Sequence, residues 1–176
     1  VRWGQPSCHK AFGEATATLV GDALSPLAFQ TLASLNVPPE TRLPLIEGLS
    51  HVMGSQGLVA GQMQDLNQEE WPRTMDGLLE LQYLKTGTLF GFATEAGAIL
   101  GQAPLQERQA LQSFGRLFGQ AFQMKDDWLD GHSHEAEIGK PCGQDLDKFT
   151  FLTLLGPDKL YAKMESTMNE AIQILA

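Results

Sequence analysis

Apolar residues recur along most of this chain at the spacing of one helix face. Between Ser7 and Leu35, the residues Phe12, Ala15, Leu19, Ala23, Leu27 and Leu32 follow at intervals of three to five, which predicts a helix. Pro26 is expected to kink or break it, because proline lacks the amide that would continue the hydrogen-bond ladder. "NVPPET" reads as a turn whose proline and glutamate open a second helix. That helix is expected to run to about Leu66, with Leu45, Leu49, Val52, Gln56, Val59 and Met63 along one stripe. "NQEEWPRT" reads as a loop. A third helix is expected from Met75 to Leu100, capped by Thr74, and "GQAP" separates it from a fourth, Leu105 to about Asp130. "GHSHEAEIGKPCGQDLDKF" has little apolar periodicity and is the longest loop expected. Pro157 to Ala176 is again amphipathic, with Leu160, Met164, Met168, Ala171 and Leu175 in register. No segment alternates as a strand would, and no internal repeat occurs. The expected class is all-α, a bundle of long helices in one domain.

Polar residues interrupt three of these apolar stretches. Gln62 and Asp65 stand in "VAGQMQDL", Lys85, Thr86 and Thr88 in "LQYLKTGTLFGF", and Gln123, Asp126, Asp127 and Asp130 in "AFQMKDDWLD". Residues three or four apart share a helix face, so the last four make one polar stripe about two turns long. If the three helices are neighbours, their stripes line one cavity, as ligand and metal sites of helix bundles do. Each stripe alone also reads as a solvated surface or helix end. Aspartates at a helix C-terminus oppose the macrodipole, however, so local helix stability does not account for them.

Composition narrows the chemistry. The chain has 176 residues, 43% of them hydrophobic, enough for one domain with a core. Its net charge of −9 disfavours a nucleic-acid partner, which needs clustered Lys and Arg. Two cysteines, Cys8 and Cys142, provide neither a disulfide framework nor zinc-ligand spacing and fit a reducing cytoplasm. No apolar run approaches the roughly 20 residues of a membrane span. The opening "VRWGQPSCHK" has no start methionine and reads as internal to a longer chain. "HSHEAE", with His132, His134, Glu135 and Glu137, lacks HExxH spacing and reads as a solvated loop rather than a zinc site. Adjacent Cys8 and His9 point in different directions on a helix and do not suit a nucleophile–base pair.

The combined pieces suit diphosphate binding. Carboxylates one helical turn apart hold Mg²⁺, which takes phosphate oxygens and water as its other ligands. Lysines then offset the remaining phosphate charge, with Lys85, Lys125, Lys140 and Lys148 as candidates. No P-loop of the form GxxxxGKS/T is present.

Five segments, in order, resemble the trans-isoprenyl diphosphate synthases of the bacterial farnesyl or geranylgeranyl type. They are "RWGQPSCHKAFGEATATLVGDAL", "GLVAGQMQDL", "LKTGTLFGFATEAGAIL", "GQAFQMKDDWLDG" and "GKPCGQDLDKFTFLTLLG". The resemblance implies helices around a deep cavity, a homodimer, and Mg²⁺-dependent condensation of an allylic diphosphate with isopentenyl diphosphate. It implies that Asp126, Asp127 and Asp130 form the second aspartate-rich motif and bind metal, Asp126 most directly. Lys85, Thr86, Gln123 and Lys140 match contacts to the allylic diphosphate. Lys148 matches the lysine of a later motif, Gln62 and Asp65 a polar pair, and Phe122 an aromatic facing the isoprenoid. Arg2 matches the first of two arginines, but Trp3 stands at the second, and Asp147 replaces the glycine before Lys148. By resemblance the opposing aspartate-rich motif belongs upstream of Val1, so this chain is expected to be the later two-thirds of such an enzyme, inactive alone. A non-catalytic homologous subunit and a class I terpene cyclase remain as alternatives.

Overall fold

The computed structural model describes residues 4–67, 73–132 and 148–176, and every regular element among them is helical. The expected all-α class is therefore what the chain adopts. Arg2, Trp3, Lys140, Cys142, Asp147 and the 134–137 part of the "HSHEAE" segment lie outside the described residues.

Helix α1 (Cys8–Phe12) and helix α2 (Glu14–Ala33) divide at Gly13, and α2 runs on through Pro26. The expected break at Pro26 is thus a correction. Its missing amide cannot donate to the Asp22 carbonyl, but that part of α2 is exposed and water can serve it. No residue of α1 or α2 is buried, and Phe12, Leu19, Leu24 and Leu27 are all more than half exposed.

The single helix expected to reach Leu66 is two. Helix α3 (Pro39–Met53) buries Leu45, Leu49 and Val52, then stops at Gly54. After the turn "GSQG", helix α4 (Leu58–Leu66) starts on a new axis. Two poor helix formers bracket that turn, and the stripe read across it fails beyond it: Val59 and Met63 are exposed.

Helix α5 (Met75–Gln82) begins at Thr74, whose hydroxyl accepts the Gly77 amide at 3.2 Å, the expected cap. A π-turn (Tyr83–Gly87) joins it to helix α6 (Thr88–Leu100). Helix α7 (Leu105–His132) follows the short "GQAP" connection and packs antiparallel to α6. The pairing runs in opposite directions along the two: Thr94 donates to the Leu111 carbonyl, and Thr86 reaches Gln123.

A short helix α8 (Phe151–Leu155) follows the expected loop, in a stretch to which the sequence pattern assigned no element, and is held by a reciprocal cap between Thr150 and Thr153. Helix α9 (Pro157–Ile174) packs along α7 with Leu160 and Ala171 fully buried. The core of this end joins Leu78 of α5, Met124 of α7, Phe151 of α8 and Leu160 of α9, with Trp128 and Met164 against it.

Phe151 is fully buried in that cluster. Phe151→Ala is expected to lower the unfolding free energy by about 3–5 kcal/mol, measured by urea denaturation. A loss below about 1 kcal/mol would contradict this placement of the core.

Candidate functional site

The site forms where α4, the π-turn and α7 meet. A π-turn carries one residue more than an α-helical turn and often marks a functional position. Here two neighbouring side chains of the turn meet different helices. Lys85 Nζ donates to Asp65 Oδ2 on α4 at 2.7 Å. Thr86 Oγ1 points to Gln123 Oε1 on α7 at 3.5 Å.

The approach of α4 depends on Gly61. A Cβ at that position would stand 2.3 Å from the Lys85 nitrogen and 2.6 Å from its Cα. Only glycine lets the two backbones touch. Asp65 stands one turn further along α4, so this contact sets it within reach of the ammonium. Its side chain is only 11% exposed against 32% for Lys85, so the ion pair is partly desolvated, with the lysine the wetter partner.

From Gln123 the network continues inward. Gln123 Nε2 donates to Asp127 Oδ1 at 3.0 Å, and the Phe151 amide donates to Asp127 Oδ2 at 3.0 Å. Asp127 is 8% exposed, and its carboxylate receives an otherwise orphaned amide at the start of α8. Asp126 and Asp130 lie one helical turn apart on α7 and are half-buried. Among the described residues, no three His, Cys, Asp or Glu side chains gather to hold a metal by themselves. Two carboxylates with room for outside ligands suit Mg²⁺ shared with phosphate oxygens better than an all-protein cage.

Of the residues singled out in the sequence, Asp65, Lys85, Thr86, Gln123 and Asp127 are joined by hydrogen bonds across three helical segments. Gln62, Lys125 and Lys148 are exposed, and Arg2 and Lys140 lie outside the described residues. Phe122 is 51% exposed. Its ring lies 5.4 Å from that of Phe90, which lies 5.4 Å from Phe118, making an apolar wall beside the polar cluster. Two residues without a signal in the motifs also belong here: the Arg116 guanidinium lies 5.2 Å from the Tyr83 ring centroid behind the π-turn. An arginine within an otherwise apolar stretch of α7 was the available signal.

A family model described as polyprenyl synthetase matches residues 1–174. A farnesyl diphosphate synthase of Geobacillus stearothermophilus is 40% identical over 88% of this chain and 54% of its own length. A geranylgeranyl diphosphate synthase of Pseudescherichia vulneris is 38% identical over 97% of this chain and 55% of its own. Among solved structures, an FPP/GFPP synthase from Zymomonas mobilis aligns with a TM-score of 0.84 and 40% identity over 99% of this chain and 60% of that one. A geranyltransferase from Helicobacter pylori, complexed with magnesium and isoprenyl diphosphate, aligns with a TM-score of 0.90 and 30% identity over 99% of this chain and 58% of its own. The chain thus spans little more than half the length of these relatives.

Asp127→Ala removes the acceptor for a buried backbone amide and for Gln123. It is expected to cost about 1–3 kcal/mol of stability, read as a lower urea midpoint. A midpoint equal to wild type would show that α8 is anchored without this carboxylate.

Proposed function

The chain belongs to the polyprenyl synthetase family, and on that premise we propose that it carries the diphosphate-binding face of a trans-prenyltransferase. The reaction condenses an allylic diphosphate with isopentenyl diphosphate to a longer prenyl diphosphate in the farnesyl or geranylgeranyl range. The observation that carries this reading is the joining of Asp65, Lys85, Thr86 and Gln123 at one π-turn, beside the half-buried pair Asp126 and Asp130.

In the proposed chemistry the bond between the allylic carbon and the diphosphate oxygen breaks, and both electrons leave with the diphosphate. The double bond of isopentenyl diphosphate then bonds to the allylic carbon, and a proton is lost from the adduct. Charge builds on the leaving diphosphate, so fixed positive and hydrogen-bond-donating groups there lower the barrier. Lys85 supplies the charge, held ready by Asp65. The Thr86 hydroxyl and the Gln123 amide orient the leaving group. Asp126 and Asp130 would hold Mg²⁺ by their oxygens, and Asp127, which the resemblance also assigns to metal, fixes Gln123 instead. When bound, the metal supplies Lewis-acid stabilisation of the departing diphosphate.

Phe122, backed by Phe90, offers the apolar face for the prenyl chain. Arg2, Gln62, Lys140 and Lys148 are assigned to the diphosphates by resemblance alone. The uncovered apolar residues of α1 and α2 suit a homodimer. Among the described residues, no helix is long and apolar enough to cross a membrane, and the cysteine usage fits a cytoplasmic enzyme.

Full-length protein incubated with Mg²⁺, isopentenyl diphosphate and geranyl diphosphate is expected to form a longer prenyl diphosphate. No elongation with dimethylallyl or geranyl diphosphate would refute the reading. Asp126→Ala is expected to lower turnover by about two orders of magnitude or more, and wild-type turnover would remove it from the site. Lys85→Ala is expected chiefly to raise KM for the allylic diphosphate. Unchanged KM and kcat would exclude Lys85.

A further inference from the structure

We infer that Arg116 is a positioning residue for this site: it braces the π-turn from behind and so fixes the direction in which Lys85 and Thr86 point. The inference rests on the roles proposed for those two residues.

The turn has two faces. Lys85 and Thr86 meet Asp65 and Gln123 on one. On the other, Tyr83 and Arg116 line a cavity of about 90 Å³, with Glu95 and Gln112 in the same wall. The Arg116 side chain meets the first residue of the turn, and its backbone passes beside the last. Its guanidinium carbon stands 5.2 Å from the Tyr83 ring centroid, at the first residue. Its carbonyl oxygen lies 3.5 Å from where a Cβ would stand on Gly87, the last residue. A guanidinium over an aromatic face is attracted by the ring quadrupole, and the planar group also stacks.

The side chain reaches the ring because Gly91 clears its path. A Cβ on Gly91 would come within 2.9 Å of Arg116 Cγ. Glu95, hydrogen-bonded by Gln112, gives the guanidinium a negative neighbour across the cavity. Gln82, the residue just before the turn, is 6% exposed, and among the described residues its amide oxygen has no partner. That oxygen does not anchor the turn, whereas the Tyr83–Arg116 contact does. A π-turn is a poorly populated backbone form that neighbours must hold in place. Loss of the brace is therefore felt first at Lys85 and Thr86.

The test combines amide hydrogen exchange with steady-state kinetics on the full-length protein. Arg116→Met and Tyr83→Leu are expected to speed exchange at residues 83–88. Each is expected to raise KM for the allylic diphosphate about tenfold while KM for isopentenyl diphosphate and the thermal midpoint hold. Tyr83→Phe keeps the ring and is expected to restore both readouts relative to Tyr83→Leu. Unchanged exchange at 83–88 in both variants would overturn the proposal. So would equal rises in both KM values with a lowered thermal midpoint, the mark of general loosening. If wild-type protein does not elongate the substrate, the proposed function fails, while the exchange comparison still decides whether Arg116 braces the turn.

Discussion

With no side chain at Gly61, the backbone of α4 lies against the backbone at Leu84 and Lys85, and the site depends on that contact. A Cβ there would stand 2.3 Å from the Lys85 nitrogen, with carbon contacts of 2.6 and 2.8 Å beside it. Backbone cannot move aside as the tip of a flexible side chain can. Were α4 held further off, Asp65 would leave the reach of Lys85, and the ammonium would turn to solvent. The spacing between two helices therefore sets the geometry of an ion pair.

From that contact the polar network runs inward to the core. Lys85 and Thr86 are consecutive, and one meets α4 while the other meets α7, since neighbouring residues on any helical turn point in different directions. Gln123 passes the constraint to Asp127, and Asp127 passes it to the amide of Phe151, a fully buried residue. One carboxylate of the "DDWLD" segment thus ties the site to the packing of α8, while Asp126 and Asp130 stay half-buried toward solvent. The aspartates that share one stripe in the sequence divide by environment. The buried member accepts from Gln123 and the Phe151 amide, and the other two are half-buried.

Much of this was legible in the sequence. The helical periodicity, the Thr74 cap and the three interrupting polar groups are properties of local order, and Asp65, Lys85, Thr86 and Gln123 do come together. What was not legible depends on tertiary contact. The π-turn has no periodic signature, because five residues are too few to shift a hydrophobic pattern. The division of α3 from α4 was hidden because the stripe continues in register across "GSQG", although the chain bends there. Helix α8 begins with Thr at both ends of its capping box, where Glu or Gln is the usual third partner. The role of Asp127 could not be read, since its partner lies 24 residues away. Nothing local paired Arg116 with Tyr83, which comes beside it only through the packing of the π-turn on α7.

On the function proposed above, the close approach at Gly61 holds a diphosphate-binding group in working geometry. Its most direct test is calorimetric titration of full-length wild-type protein and Gly61→Val with inorganic diphosphate and Mg²⁺. A loss of affinity of about tenfold or more is expected in the variant, with helical circular dichroism retained. Equal affinity in a variant that cannot keep this contact would contradict it.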